Sequence, residues 1–560
     1  MYQSSPQEKN FYTARANQFG HQVVRYLDGR LEADVFQQFR LRNGLYMERY
    51  SPMIRLAIPY GQLSSGQLRT LAYVADRYDR GYGHFTTRQN IQFNWVTIED
   101  SPDLLRDLAN AGMHAIQTSG SCVRNITTDH LAGVSPDELV DPRPWCELIR
   151  QWSTLHPEFY WLPRKFKIAV SGSVEDRAAV RFHDIGIELH KNTRNEVMAR
   201  ILAGGGMGRT PVIGKVVKEA VPVQDLLPWL QAIIHVYNKH GRRDNKYKAR
   251  IKILVNDLGI DAFAREAEAV YERYRDIHPA WDPKRIERIE AGFARPELND
   301  TQAASRHIPV NSDAFGKWKR HNTEAHRDPD RLIVHLSLKF PEMAPGDMDS
   351  STMRRLADLA DLYSGGEIRV THRQNLVLPW VHKRNAYALW RELDEIKLAM
   401  PNIGMLTDMI ACPGLDYCSL ANASTIPLSR ELGRRLDDLD RLHQIGKISL
   451  KMSGCMNACG HHHAADIGIL GVDKKGEEWY QITLGGDAGN SARIGQRLGP
   501  AISRDGIVDG IIDIVETYLE IRHPGESFAD SLHRTGLEPY QETLYADHQK
   551  QRSRPHKVAA

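Results

Sequence analysis

Apolar residues recur with helical spacing at two distant places in the chain: Leu71, Val74, Ala75 and Tyr78, then Leu356, Leu359, Ala360 and Tyr363, each set at i, i+3, i+4, i+7. Side chains so spaced share one face, so each set predicts an amphipathic helix lying on a core. Glycines follow, Gly81 and Gly83 after the first set and Gly365 and Gly366 after the second, where a helix needs a left-handed stop. Beyond the first pair the period becomes two: Ile91, Phe93 and Trp95 alternate with Arg88, Asn90, Gln92 and Asn94. That predicts a strand with a core face and a polar face, and a basic, amide-rich face suits either solvent or an anionic ligand.

These patterns are copies of each other. The segment LRTLAYVADRYDRGYGHFTTRQNIQFNWV from Leu68 aligns without gaps on MRRLADLADLYSGGEIRVTHRQNLVLPWV from Met353, at a constant offset of 285. Ser171-Gly172 and Asp184-Ile185-Gly186-Ile187 reappear as Ser453-Gly454 and Asp466-Ile467-Gly468-Ile469 at an offset of 282, and Gly205-Gly206 as Gly485-Gly486 at 280. A large module is therefore duplicated, far longer than the roughly 20 to 50 residues of a solenoid repeat. The first forty or so residues show no counterpart in the second copy. The Pro-rich IHPAWDPKR and the polar PELNDTQAASRHIPVNSD divide the halves, and the tail from about 546, DHQKQRSRPHKVAA, is expected to fray.

Composition narrows the class. At about 150 residues per domain, 560 residues predict three or four domains. Lys plus Arg against Asp plus Glu, 73 − 70 = +3, is too balanced for a nucleic-acid coat, so any anion site must be built locally. No apolar run approaches the roughly 18 residues of a membrane span, and MYQSSPQEKN lacks the apolar core of a signal peptide. The expectation is a soluble cytoplasmic protein without membrane or nucleic-acid partners. Six cysteines cannot frame so long a chain with disulfides, and four of them stand in two close pairs in the last third.

Those four are Cys412 and Cys418, with PGLDY between them, and Cys455 and Cys459, with MNA between them. Two pairs of thiolates can wrap a cubane iron–sulfur cluster. Zinc is the alternative, although its sites favour tighter C-x2-4-C knuckles than the first pair provides. Pro413, Gly414, Gly454 and Gly460 would let backbone amides approach cluster sulfurs. Cys122 and Cys146 belong to no quartet and read as ordinary buried thiols, Cys122 standing two residues from Arg124.

ACPGLDYCSLANAST followed by KMSGCMNACGHHHAADIGILG resembles the cluster signature of the siroheme-containing sulfite and nitrite reductase family, with C-x5-C and then C-x3-C. The internal duplication matches that family too, and the resemblance runs from about residue 45 onward. It implies an α+β fold: a pseudo-twofold duplicated module of ferredoxin-like half-domains plus two larger mixed α/β domains, with siroheme at the interface. The implied segments are an N-terminal extension at 1–44, a half-domain at 45–117, a siroheme and substrate domain at 118–326, the second half-domain at 327–402 and a cluster domain at 403–560.

The resemblance also implies cofactors and site residues. Cys412, Cys418, Cys455 and Cys459 would bind a [4Fe-4S] cluster, with Cys459 bridging it to the siroheme iron. Arg55, Arg124, Lys165 and Lys167 match the basic residues the family uses on its oxyanion substrate. Arg88, Gln92, Arg124, Arg164, Gly205, Gly206 and Gln374 fall at siroheme-binding positions. Lys165 and Lys167, two apart in an extended segment, point the same way, a costly arrangement unless an anion lies between them. His461, His462 and His463 read as second-layer or surface residues. The second copy has ISLKMSGC where the first has KFKIAVSG, so the halves divide into an anion-binding and a cluster-binding copy. LAGGGMGRTPVIGK from Leu202 contains neither G-x-G-x-x-G nor a P-loop interval, and resembles a family loop that approaches a siroheme carboxylate.

The expected activity is six-electron reduction of sulfite to sulfide. Nitrite reduction, or both, is the near alternative: the second lysine of PRKFK resembles sulfite reductases, whereas CVRNITTDHLAG resembles the nitrite-reducing version. A cluster-bearing electron carrier without siroheme, or a zinc-stabilised binding protein, is the rival from outside enzymes. Without a nicotinamide or flavin fingerprint, the electrons must come from a partner, either a ferredoxin or an NADPH-dependent flavoprotein.

Overall fold

The computed structural model describes residues 2–276, 282–298 and 313–552, the side chains of 546–552 excepted. Much of the polar segment between the copies and the end of the tail therefore lie outside the described residues, while the start of the tail continues the helix Glu538–Arg552. The chain forms two compact units, one from Met1–Gly206, Pro211–Phe340 and Gly346–Ile403, the other from Met207–Thr210, Pro341–Pro345 and Gly404–Ala560.

In the first unit the two half-domains exchange strands. One sheet runs Leu45–Met47, Pro52–Leu56, Ile91–Phe93, Tyr82–Phe85 and closes with Asp347–Asp349 from the second copy. The other runs Thr323–Ala325, Arg331–Leu336, Leu376–His382, Glu367–Val370 and closes with Gln62–Ser64 from the first. The registers are equivalent: Gln62 pairs with Arg369 as Asp347 pairs with His84.

Each exchanged strand feeds the predicted amphipathic helix of its own copy. Ser64 caps Ser65–Tyr78 in a reciprocal box with Gln67, and Asp349 caps Ser350–Tyr363 by accepting from Thr352 N at 2.9 Å. The helices lie against each other. Arg69 pairs with Asp361 and Arg354 with Asp76, but these pairs are exposed and worth about 0–1 kcal/mol each. Stability comes from the apolar stripes: Leu71 and Leu356 are fully buried, a contribution of roughly 1.5–3 kcal/mol apiece. At the helix ends Gly81 N and Gly366 N donate back to Ala75 O and Ala360 O, each at 2.9 Å.

Three sequence expectations need correction. Arg88 and Asn90 do not lie on the strand with Gln92; they occupy a turn before it. Thr86 N donates to Asn90 O at 2.9 Å, and the Thr86 hydroxyl oxygen accepts from the N–H groups of Arg88 and Asn90, which closes the turn before extension begins. Nor is the polar side solvated, since Asn90, Gln92 and Asn94 are buried. The N-terminal residues also have a counterpart in part: Ala33–Arg42 leads into Leu45–Met47 as Asp313–Asn322 leads into Thr323–Ala325, with Phe36 and Trp318 buried in equivalent helices. Only the helix and its buried aromatic are kept, so no run of identities marks the match.

The larger sheets repeat as well. The first unit carries Lys215–Pro222, Val197–Ala203, Ile185–Lys191, Ile168–Ser171 and Thr127–Thr128 in that order. The second carries Ile410–Ala411, Leu450–Ser453, Ile467–Lys474, Glu477–Leu484 and Gln496–Arg497, with Ile502–Ser503 also on Glu477–Leu484. Ile168 pairs with Ile185 in parallel, and Leu450 pairs with Ile467 likewise. Apolar helices Leu226–His240 and Ile507–Ile521 fill the respective cores. The fold is thus α+β, a duplicated module with two ferredoxin-like half-domains and two larger mixed sheets. Among the described residues no helix is long and apolar enough to cross a membrane.

Candidate functional site

Arginines of the first copy converge through backbone registers set by the half-domain. Arg55 stands opposite Gln92 in the pairing of Pro52–Leu56 with Ile91–Phe93. Its Nε and Nη2 both donate to Gln92 Oε1, at 3.0 and 2.8 Å, which fixes the guanidinium in plane. Its Nη1 reaches the Tyr46 hydroxyl at 3.3 Å. Arg124 donates to Gly120 O from Nε and Nη2, at 3.0 and 2.7 Å, and to Thr118 O from Nη1 at 2.8 Å. Arg88 donates to Thr127 Oγ1 at 2.9 Å and Asn125 O at 2.7 Å, and its Nη1 contacts His183 Nε2.

These cations feel one another. Burial lowers the Arg88 pKa to about 9, helped by Arg124, Arg250 and Arg55 against the opposing field of Asp184. Burial would raise the Tyr46 phenol, yet Arg55, Arg124 and Lys165 outweigh it and hold the hydroxyl below its ordinary value. Lys165 and Lys167, each half-buried, flank fully buried Phe166, as the two-residue period requires. Lys167 N donates to Asp184 Oδ2 at 2.8 Å. Half-buried Arg164 is lowered by burial and then by Arg250 and Arg124. Such a concentration of positive charge is what an anionic, many-carboxylate ligand or a small oxyanion would offset.

Three of the groups in this set were not singled out from the sequence: Tyr46, Arg250 and Lys252. Arg250 Nε and Nη2 bind fully buried Asp184 at 2.8 and 2.7 Å, and burial together with Arg250 pushes Lys252 down to about 8. Glycines allow this packing. A Cβ on Gly206 would stand 2.9 Å from Arg250 Nη2, and one on Gly205 would meet Arg181 O at 2.4 Å. The available signal was ARIK at the head of an apolar helical run, two cations on either side of a buried isoleucine. Gln374 lies elsewhere in the unit, its amide donating to Phe85 O at 3.3 Å. Cys122 is only half-buried and donates to Ser119 O at 3.2 Å, whereas Cys146 is buried.

In the second unit Cys412 follows Ile410–Ala411 and Cys418 follows the short turn Gly414–Asp416, while Cys455 and Cys459 follow Leu450–Ser453. Gly454 N donates to Cys412 Sγ at 3.1 Å, and a Cβ on Gly454 would meet Ala423 O at 2.6 Å. Burial pushes the Cys412 thiol up to about 12, with Cys459 and Cys455 adding to the effect. Thiols that repel one another's ionisation, met by a backbone amide, fit a site whose cationic iron core is supplied with the cofactor. Among the described residues no three His, Cys, Asp or Glu gather tightly enough for a single ion. A cubane asks its thiolates to stand farther apart, with an iron at each of four corners. His462 is fully buried and held neutral by that burial, its ring 3.9 Å from that of His463. His463 Nε2 lies 3.1 Å from Gly208 O.

The family model described as the nitrite and sulphite reductase 4Fe-4S domain matches residues 119–274 and 405–552. The model of the nitrite/sulfite reductase ferredoxin-like half domain matches 49–111 and 326–396. Sulfite reductase (ferredoxin) 1 of Mycolicibacterium paratuberculosis is 29% identical over 489 residues, 85% of this chain and 81% of that protein. An assimilatory ferredoxin-dependent nitrite reductase of Haloferax mediterranei is 30% identical over 521 residues, 88% and 83% of the two chains. The solved structure of the Mycobacterium tuberculosis NirA protein superposes with a TM-score of 0.74 at 25% identity, covering 91% of this chain and 92% of that one.

Proposed function

Since the chain belongs to the nitrite and sulfite reductase family and uses siroheme and a [4Fe-4S] cluster, we propose that it reduces sulfite to sulfide with electrons from a ferredoxin. The gathering of Arg55, Arg88 and Arg124, each held by fixed hydrogen bonds and with Arg88 lowered first by burial and then by the field of its neighbours, carries this reading. Siroheme and the cluster would supply the iron that binds the oxyanion and the single-electron steps, chemistry no side chain can provide.

Cys412, Cys418, Cys455 and Cys459 would hold the cluster, and Cys459 would also hold siroheme. Arg88, Arg164 and Gln92, with the close-approach glycines Gly205 and Gly206, would serve the macrocycle and its carboxylates. Arg55, Arg124, Lys165 and Lys167 would hold the oxyanion and draw charge from its oxygens as they leave as water. Arg55 suits that task because Gln92 already fixes its plane, so no ordering cost remains when the anion arrives. The same reading divides the chain at residues 45, 118, 327 and 403.

Nitrite is the second reading, supported by the likeness of CVRNITTDHLAG to nitrite-reducing relatives. The names of the relatives support ferredoxin over an NADPH-dependent flavoprotein as donor. The deciding experiment compares kcat/KM for sulfite and nitrite with reduced ferredoxin, then with an NADPH–flavoprotein couple, on anaerobically purified protein. Sulfite turnover with ferredoxin is the expected outcome; a strong preference for nitrite would replace the first reading by the second.

A further inference from the structure

The two larger sheets share strand pairings and turns at nearly constant sequence offsets, so each cysteine of the quartet has a counterpart in the first copy. Thr127 pairs with Ala169 where Ile410 pairs with Lys451, an offset of 283 on one strand and 282 on the other. Leu139 N and Val140 N donate to Gly172 O where Asn422 N and Ala423 N donate to Gly454 O. Left-handed Ala179, φ 52°, opens the turn Val180–Phe182 where left-handed His461, φ 57°, opens His462–Ala464. On these offsets Cys412, Cys418, Cys455 and Cys459 correspond to Asp129, Ser135, Ser173 and Arg177.

Three of the counterparts are bonded to one another, and Ser135 joins them through Asp137. Ser173 Oγ donates to Asp129 Oδ2 at 3.1 Å, and Arg177 Nη1 donates to the same oxygen at 2.8 Å. Arg177 Nη2 donates to Asp137 Oδ1 at 2.7 Å, and the Ser135 hydroxyl contacts Asp137 as well. Asp129 is buried, and its other oxygen accepts from Leu131 N at 2.8 Å. A buried carboxylate is tolerable when a guanidinium and further donors meet it, so this arrangement is complete without a cofactor. Four thiolates supply no cation to balance one another's charge, which the iron of a cluster does.

We propose that the first copy keeps a cluster-shaped cradle filled by its own Asp129–Arg177 ion pair, and that this ion network confines cluster loading to the second copy. The proposal rests on the quartet reading given above. Its ligand class, once the network is removed, is a thiolate-bound iron–sulfur cubane.

The test replaces the network with thiols in the full chain: Asp129→Cys, Ser135→Cys, Ser173→Cys and Arg177→Cys together, followed by anaerobic reconstitution with iron and sulfide. Acid-labile sulfide and non-siroheme iron per chain should each double, from four to eight, with the reduced-cluster EPR signal doubling alongside. A folded variant holding only the native four would overturn the proposal, whereas a native chain without four irons would overturn the quartet reading instead. Should the variant not fold, the reverse exchange decides: Cys412→Asp, Cys418→Ser, Cys455→Ser and Cys459→Arg against the same four cysteines all changed to Ser. The ion-network version should melt higher by about 4 °C or more, both being free of iron. Equal melting would overturn the idea that the ion pair fills this cradle.

Discussion

Gln89 and Gln374, 285 residues apart, each reach into the other's copy: Gln89 Nε2 donates to Val370 O at 3.0 Å and Gln374 Nε2 donates to Phe85 O at 3.3 Å. Both backbones are left-handed, with φ of 54° and 57°, a conformation that costs a residue with a Cβ about 1 kcal/mol or more. The side-chain bonds hold it there. Gln89 is the more committed of the two, since its amide also donates to Thr128 O at 3.0 Å and its oxygen accepts from Thr128 N at 3.1 Å. Gln89→Ala leaves buried backbone groups unsatisfied and should cost about 2–3 kcal/mol, and Gln374→Ala about 1–2 kcal/mol. Denaturant midpoints measure both, and an unchanged midpoint for Gln89→Ala would refute the tie.

Glu367 anchors the exchanged strand on the second sheet. Its Oε1 accepts from Gln62 Nε2 and Arg369 Nε, each at 2.8 Å, and its Oε2 accepts from Trp380 Nε1 at 2.9 Å. Burial would raise its pKa, but Arg369 and Arg143 bring it down to about 2 from an ordinary 4.5. A carboxylate depressed in the folded state stabilises above its unfolded pKa and loses that contribution as pH falls toward the folded one. The shift corresponds to roughly 3 kcal/mol. Glu367→Gln should therefore be less stable by about that amount at pH 7, and the gap from the native chain should close between about pH 4.5 and 2. A gap independent of pH across that window would show that the charge is not what matters.

The constant offset of 285 made both amphipathic helices legible, and the offset of 282 the division into a basic half and a cysteine half; the turn that holds Gln89 was not, because its residues read as part of the strand. Strand exchange was not legible. Identity at a fixed offset says that Gln62–Ser64 is equivalent to Asp347–Asp349, but not which sheet either joins. The quartet stood out because thiols are few and paired; Arg250 and Lys252 did not, because they are two cations among 73, and only the fold brings them to Asp184 and the glycine loop. Tyr46 shows the same limit, a phenol whose neighbours come from the segments of Arg55, Arg124 and Lys165.

Arg250 compensates Asp184, which is fully buried and also receives the N–H of Lys167. Arg250→Ala strands that carboxylate and should cost about 3–5 kcal/mol. Adding Asp184→Asn removes the stranded charge and should recover a sizeable part of the loss, which a double-mutant cycle in denaturant would reveal. If the two losses simply add, Arg250 and Asp184 are not coupled. Siroheme absorbance per chain should fall in Arg250→Ala and stay low in the double variant, because the cation is missing in both.

Lys167 offers the sharpest test of substrate choice. Its backbone N–H is held by Asp184 whatever its side chain, and Phe166 beside it fills the core, so Lys167→Asn changes the site's charge while the local backbone keeps its anchors. Sulfite carries up to two negative charges and nitrite one, so removing a cation penalises the transition state for sulfite more. The expected result is a loss of about tenfold in kcat/KM for sulfite relative to nitrite, equivalent to roughly 1.4 kcal/mol of differential stabilisation. Melting temperature should stay near the native value, since Lys167 is half-buried and its main-chain bond persists. Raising ionic strength should shrink the difference between the native and variant ratios if the side chain acts through its field, and leave it intact if Lys167 binds the oxyanion directly in a water-excluded site. A sulfite-to-nitrite ratio identical in the two proteins would remove Lys167 from the determinants of specificity and leave Arg55, Arg124 and Lys165 to account for it.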